Sequence, residues 1–299
     1  MDPRSHSVLS TAPDPLNWTV AELFASPFAR VSTLQCRPEK LDCSCEKCAV
    51  DDQIVFVTRG GFVRHTGKSA HVANANKVTI FKANEPYRTS HIDLFGDECV
   101  VFSFAGDTLS MEFSEAIKGG SAWQPIGPSA VCSALKIVNG LKNRSMSTLE
   151  TEEAIVTLLQ RILAGRSGTS SAGPAAHALV RDIEAELTGG PGSDWSLSAL
   201  SRRFRKSAYY ITRSFSKITG APLHKYLLNL RLGMALARLT EGEKDLTALA
   251  LDLGFSSHAH FSTAFKSALG MNPAAFRSMA RLERLSLGKN LKAWPPPSK

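Results

Sequence analysis

Leu253-Gly254-Phe255-Ser256-Ser257-His258-Ala259-His260-Phe261-Ser262-Thr263-Ala264-Phe265-Lys266 is the stretch that decides the fold of this 299-residue chain. Just upstream, Leu246, Leu249, Ala250 and Leu253 recur at helical spacing, and Gly254 stands where a left-handed residue ends such a helix. Downstream, Phe261, Phe265 and Leu269 fall four residues apart, which leaves Ser257, His258, Thr263 and Lys266 on other faces of a second helix that stops at Gly270, with Pro273 beyond. The pattern predicts a helix, a tight turn and a second helix with a polar, hydrogen-bonding outer face.

The same design stands about fifty residues earlier. Ser196 caps a helix carrying Leu197, Leu200 and Phe204, Arg205-Lys206-Ser207 makes the turn, and Ile211, Phe215 and Ile218 form the apolar stripe of a helix closed by Gly220. Its outer face offers Tyr209, Thr212, Arg213 and Lys217. Between the two units, Pro222 opens a long amphipathic run through Tyr226, Leu227, Leu230 and Met234 to about Thr240. One rigid helix there would fix the separation of two readers.

Ser207 to Phe215, Tyr226 to Leu232, and Gly254-Phe255 through His260-Phe261, Phe265-Lys266, Gly270 and Pro273 resemble the DNA-binding domain of the AraC/XylS family of bacterial transcription regulators. The resemblance covers about a quarter of the chain. It departs from the family pattern at Arg205-Lys206, where a glycine-containing turn is typical, at Ala248, where an acid is common, and at Thr263, where arginine is common. It implies that Tyr209, Thr212, Arg213, His258, Ala259 and Thr263 face base edges of double-stranded DNA, with Ser257 beside them and Lys217 and Lys266 nearer the backbone. It implies further a homodimer, successive major-groove segments about 34 Å apart, and contact with RNA polymerase if the protein activates.

Charge agrees with that expectation. From Pro174 onward 18 Lys and Arg stand against 9 Asp and Glu, a net +9, whereas the first 173 residues carry a net −1. Excess cations on one half are what release of phosphate counterions rewards. The length suits two domains, and Gly165-Arg166-Ser167-Gly168-Thr169-Ser170-Ser171-Ala172-Gly173-Pro174 reads as a flexible joint. The expected partition is residues 1–164 as sensor and dimerisation domain, 165–174 as linker and 175–299 as DNA-binding domain. No apolar run reaches the roughly twenty residues of a membrane span, so a cytoplasmic protein is expected.

The N-terminal half reads as strands and then helices. Ile54–Val57, Phe62–His65, Val78–Phe81 and Cys99–Phe104 are strand candidates. Helices follow over Ser129 to Lys142 and Leu149 to Leu163. Phe62-Val63-Arg64-His65, Asn84 to Arg88 and Ser90-His91 resemble the cupin-like sensor half of AraC-type regulators. The expected class is therefore α+β, a cupin-like β-barrel followed by helices and a C-terminal all-α tandem helix-turn-helix domain. Iron-dependent cupin enzymes signal themselves by a closely spaced His-x-His with a nearby Glu. His65, His71 and His91 are scattered in the sequence, so no enzyme is expected.

Four of the six cysteines, Cys36, Cys43, Cys45 and Cys48, lie within thirteen residues. Thiolates so spaced can wrap one tetrahedral Zn²⁺, and a reducing compartment disfavours permanent disulfides. The alternatives are a redox sensor in which Cys45 and Cys48 bridge, a site for a soft ion such as Cu(I), or ordinary cysteines. Two further readings of the whole chain stay open. One is a zinc-dependent DNA-repair methyl acceptor that is also a regulator, because adaptive-response alkyltransferases join a four-cysteine zinc site to an AraC-like module. The other is a regulator sensing only a small molecule.

Overall fold

The structure is a computed structural model and describes residues 17–42, 46–106, 122–163 and 172–280. Ten strands come first: β1 (Asn17–Ala25), β2 (Arg30–Arg37), β3 (Lys47–Cys48), β4 (Asp52–Gly60), β5 (Phe62–Thr66), β6 (Ser69–Ala73), β7 (Lys77–Phe81), β8 (Pro86–His91), β9 (Asp97–Phe104) and β10 (Trp123–Pro125). They form two antiparallel sheets, six strands in the order β1-β2-β9-β4-β7-β10 and four in the order β3-β8-β5-β6.

The apolar runs of β4 and β9 set this layering. Ile54, Phe56, Val100 and Phe102 leave the six-stranded sheet on one face and pack beneath two helices, α1 (Pro128–Lys142) and α2 (Thr148–Leu163). Val55, Val57, Cys99 and Val101 leave it on the other and meet Phe62 and Ala73 of the four-stranded sheet. A strand covered on both sides reads as continuous Ile-Val-Phe-Val instead of alternating. The expected barrel is thus laid out as two open, packed sheets, with the larger one as a central layer between sheet and helices.

The C-terminal half is helical: α3 (Pro174–Gly189), α4 (Leu197–Phe204), α5 (Ala208–Thr219), α6 (Leu223–Glu241), α7 (Leu246–Asp252) and α8 (His258–Leu269), with helical backbone again over 273–280. Along α6, Tyr226, Leu227 and Leu230 belong to one core with α3, α4 and α5, while Leu232, Leu236 and Leu239 belong to a second with α7 and α8. Among the described residues no helix is long and apolar enough to cross a membrane.

The two halves are docked through a buried seam. The turn between β6 and β7 puts Ala75 into the first helical core. Asn74 Nδ2 donates to Thr188 Oγ1 at 2.9 Å and to Tyr226 Oη at 2.8 Å, and Asn76 Nδ2 donates to the Tyr226 carbonyl at 2.7 Å. Lys77 Nζ lies 2.6 Å from Glu184 Oε1, with both side chains 3% exposed, and also 4.2 Å above the Trp123 ring. From the other side of the sheet, Val131, Cys132 and Leu135 of α1 enter the core of the second helix pair.

Candidate nucleic-acid interface

Each reader is built by caps. Ser196 accepts from the Ala199 N–H at the start of α4, Ser207 from Tyr210 at 3.2 Å at the start of α5, and Ser257 from His260 at 3.1 Å at the start of α8. The first turn uses Arg205 at φ 52°, a left-handed position that glycine usually fills, and the second uses Gly254 at φ 79°. A Cβ on Gly254 would stand 2.8 Å from the Gly192 carbonyl oxygen and 2.6 Å from Arg231 Nη2. Arg231 of α6 fastens the entry to the first reader, its Nε donating to the Pro191 carbonyl at 2.8 Å. Burial lowers the Arg231 guanidinium from its ordinary range, with Asp194 opposing.

On α5, Phe215 and Ile211 are buried while Tyr209, Arg213 and Lys217 are exposed. Tyr209 is 70% exposed, and its hydroxyl accepts from Arg213 Nη1 at 3.0 Å. The pair presents one ring and one guanidinium as a unit. Thr212 is half-buried, and its hydroxyl donates back to the Ala208 carbonyl at 2.9 Å, so a methyl group and an oxygen lone pair remain for a partner. On α8, Ser257, His258, Ala259, Thr263 and Lys266 are exposed over buried Phe261 and Phe265. The Ser257 hydroxyl is engaged as the cap, and His258 Nε2 lies 3.3 Å from Ser262 Oγ.

Two neighbours escaped the sequence reading. Tyr210 is 39% exposed, with the Lys206 ammonium 6.0 Å above its ring. His260 pairs Nδ1 with Ser256 Oγ at 3.0 Å and sets its ring edge against Phe255. The Tyr209-Tyr210 doublet was the available signal for the first.

Of the four clustered cysteines the structure describes two, and those two lie apart. Cys36 is a buried residue of β2, and its Sγ lies 3.7 Å from His91 Nε2. Cys48 is exposed on β3 opposite Pro86, at the far end of β8 from His91, roughly 16 Å of extended strand away. Cys43 and Cys45 lie outside the described residues. Cys99 and Cys132 pack in cores as small apolar groups do, although the Cys99 thiol also donates to Asp97 Oδ2 at 3.4 Å. Burial, and then Asp97, push that thiol well above its usual range.

Comparison with known proteins gives the same assignment for the helical half. Residues 200–279 match the family described as Helix-turn-helix domain. The bifunctional transcriptional activator/DNA repair enzyme AdaA of Bacillus subtilis is 32% identical over 88 residues, 29% of this chain and 42% of that protein. The transcriptional activator RhaR of Klebsiella pneumoniae is 25% identical over 184 residues, 58% of this chain and 66% of that protein. The fold of ToxT from Vibrio cholerae aligns with 88% of this chain and 98% of its own, at 11% identity and a TM-score of 0.34. The alignments cover only 29% to 42% of the first three curated relatives. Residues 200–279 thus carry a helix-turn-helix domain, and what they resemble includes a putative AraC-like transcription regulator of Streptomyces antibioticus, 31% identical over 87 residues.

Proposed function

We propose that the protein is a sequence-specific, DNA-binding transcription regulator, not an enzyme, whose two-sheet half is a cupin-like sensor. The observation that carries this reading is the pair of capped helices α5 and α8, each with a buried apolar stripe and an exposed polar face, joined through the single helix α6. On this reading Tyr209, Thr212 and Arg213, and then His258, Ala259 and Thr263, meet base edges with Ser257 beside them, while Lys217 and Lys266 meet phosphates. The chain acts as a homodimer on double-stranded DNA, and meets RNA polymerase where it activates. Residues 1–164 sense and dimerise, 165–174 connect and 175–299 read.

Selection of bound duplexes from a random pool, followed by footprinting, tests it. Two protected segments one helical turn apart are expected, with affinity falling steeply as salt rises. Arg213→Ala should cost about 1–3 kcal/mol and relax preference at one base pair. An unchanged footprint and affinity would remove α5 from the interface. Similarity to AdaA motivates one control, incubation with methylated DNA and intact-mass measurement, in which a methyl adduct on the chain would overturn the non-enzymatic reading.

A further inference from the structure

One polar cluster lies apart from the DNA-reading face. Cys36 of β2 stands directly opposite Asp97 of β9, so both side chains leave the six-stranded sheet on one face. Cys99, two residues along β9 and thus on that same face, belongs to the core between the sheets. His91, the last residue of β8, comes from the four-stranded sheet with Nε2 3.7 Å from Cys36 Sγ and Nδ1 3.3 Å from Asp97 Oδ1. All three residues are buried, and one donor atom from each lies within 4.8 Å of the other two. His91 Nδ1 and Asp97 Oδ1 are sealed from water, and they face each other without making a hydrogen bond. Buried polar atoms left so are costly, and a cation held at the cluster offsets the charge of the Asp97 carboxylate.

We propose that Cys36, His91 and Asp97 are a binding site for a thiophilic divalent cation, Zn²⁺ foremost, between the two sheets of the sensor half. The donor set is one thiolate, one imidazole and one carboxylate, the types that Zn²⁺ takes. One imidazole gives one nitrogen to one ion: with Nε2 as that ligand, tetrahedral bond lengths put sulfur and nitrogen roughly 3.5 Å apart, close to the 3.7 Å between Cys36 Sγ and His91 Nε2, and Nδ1 stays turned toward the Asp97 carboxylate. Binding displaces the Cys36 thiol proton to solvent. Only Cys36 is shared with the four-thiol cluster of the sequence; Cys48 takes no part.

The cluster adjoins the seam between the halves. Ile92, next to His91, packs on Gly189 at the end of α3, and Glu98, next to Asp97, lies 3.7 Å from Arg59, which reaches Glu241 of α6 at 3.9 Å. Cation occupancy therefore bears on the two helices that hold the first reader. This regulatory consequence rests on the regulator reading, whereas the site itself does not.

The test loads the full-length chain, stripped with chelator under reducing conditions, with Zn²⁺ alone and measures bound metal without DNA. One Zn²⁺ per chain is expected. His91→Gln and Cys36→Ser should each weaken binding at least tenfold, and Cys48→Ser should leave it unchanged. Because buried substitutions can unfold a chain, Co²⁺ on the wild-type protein is the second measurement, with a charge-transfer band of one thiolate expected. No stoichiometric metal, loss of metal in Cys48→Ser, or a band of several thiolates would each overturn the site. Metal bound as expected with no operator affinity would instead count against the regulator reading.

Discussion

Lys77→Met should open the seam. Its ammonium and the Glu184 carboxylate approach to 2.6 Å with each side chain 3% exposed, so neither charge has appreciable water. At an effective dielectric of about 20 the attraction at that distance is roughly 6 kcal/mol, offset by desolvation of several kcal/mol per ion. The intact pair therefore nets little against apolar groups of equal size, while its half-removal leaves a buried uncompensated carboxylate at a cost of about 3–5 kcal/mol. Lys77 also covers Trp123, whose emission should shift to the red as the seam loosens. Urea denaturation followed by circular dichroism and by tryptophan fluorescence should show Lys77→Met unfolding at lower urea, with the two signals no longer coincident. The double variant Lys77→Met/Glu184→Met should recover most of the loss, since no stranded charge remains. A single-variant cost below about 1 kcal/mol, the value of an exposed pair, would refute the reasoning, as would a double variant no better than the single.

Gly233→Ala places a methyl group 2.7 Å from the Ala75 Cβ, so overpacking of about 1–3 kcal/mol is expected in thermal melts, and Ala75→Gly in the same chain should relieve it. Ser257→Ala removes the cap of α8 and should lose about 0.5–2 kcal/mol of stability, read by denaturation of the DNA-free protein. Desolvation, and then Lys77 and Arg64, hold the His71 imidazole well below its ordinary range, and its Nε2 is sealed and unpartnered. The unfolded chain binds that proton near pH 6.5 and the folded chain does not, so stability should fall as pH drops below about 6.5. His71→Phe should flatten that acid limb, and an unchanged limb would assign it to other groups.

The helical half was legible because its determinants are local. Ser196, Ser207 and Ser257 as caps, Gly220, Gly254 and Gly270 as left-handed stops, and aromatic residues four apart all act within one or two helical turns. Among the strands legible in the sequence, β4, β7 and β9 carry apolar runs and β5 opens on Phe62-Val63. Those passed over do not: β8 is Pro-Tyr-Arg-Thr-Ser-His, and β1 sits at a sheet edge with a register irregularity between Glu22 and Phe24. Scattered in the sequence, His91 gave no hint of company. Its neighbours arrive through the register of β2 on β9 and the stacking of one sheet on another, with His91 and Cys36 55 positions apart in the chain. Likewise Asn74, Ala75 and Asn76 read as an ordinary turn, because nothing in a turn says which helix will cover it.

Helix α1 has no solvent-facing apolar choice left: Ala134, Ile137 and Val138 are committed to the sheet, and Val131, Cys132 and Leu135 to the second reader. A cut near residue 170 would therefore divide one cohesive core. A chimera spliced there onto a foreign sensor would carry a reader missing three of its own core side chains. A graft that keeps residues 128–142 with the readers brings that wall along, and leaves the donor sheet as the surface needing a new cover.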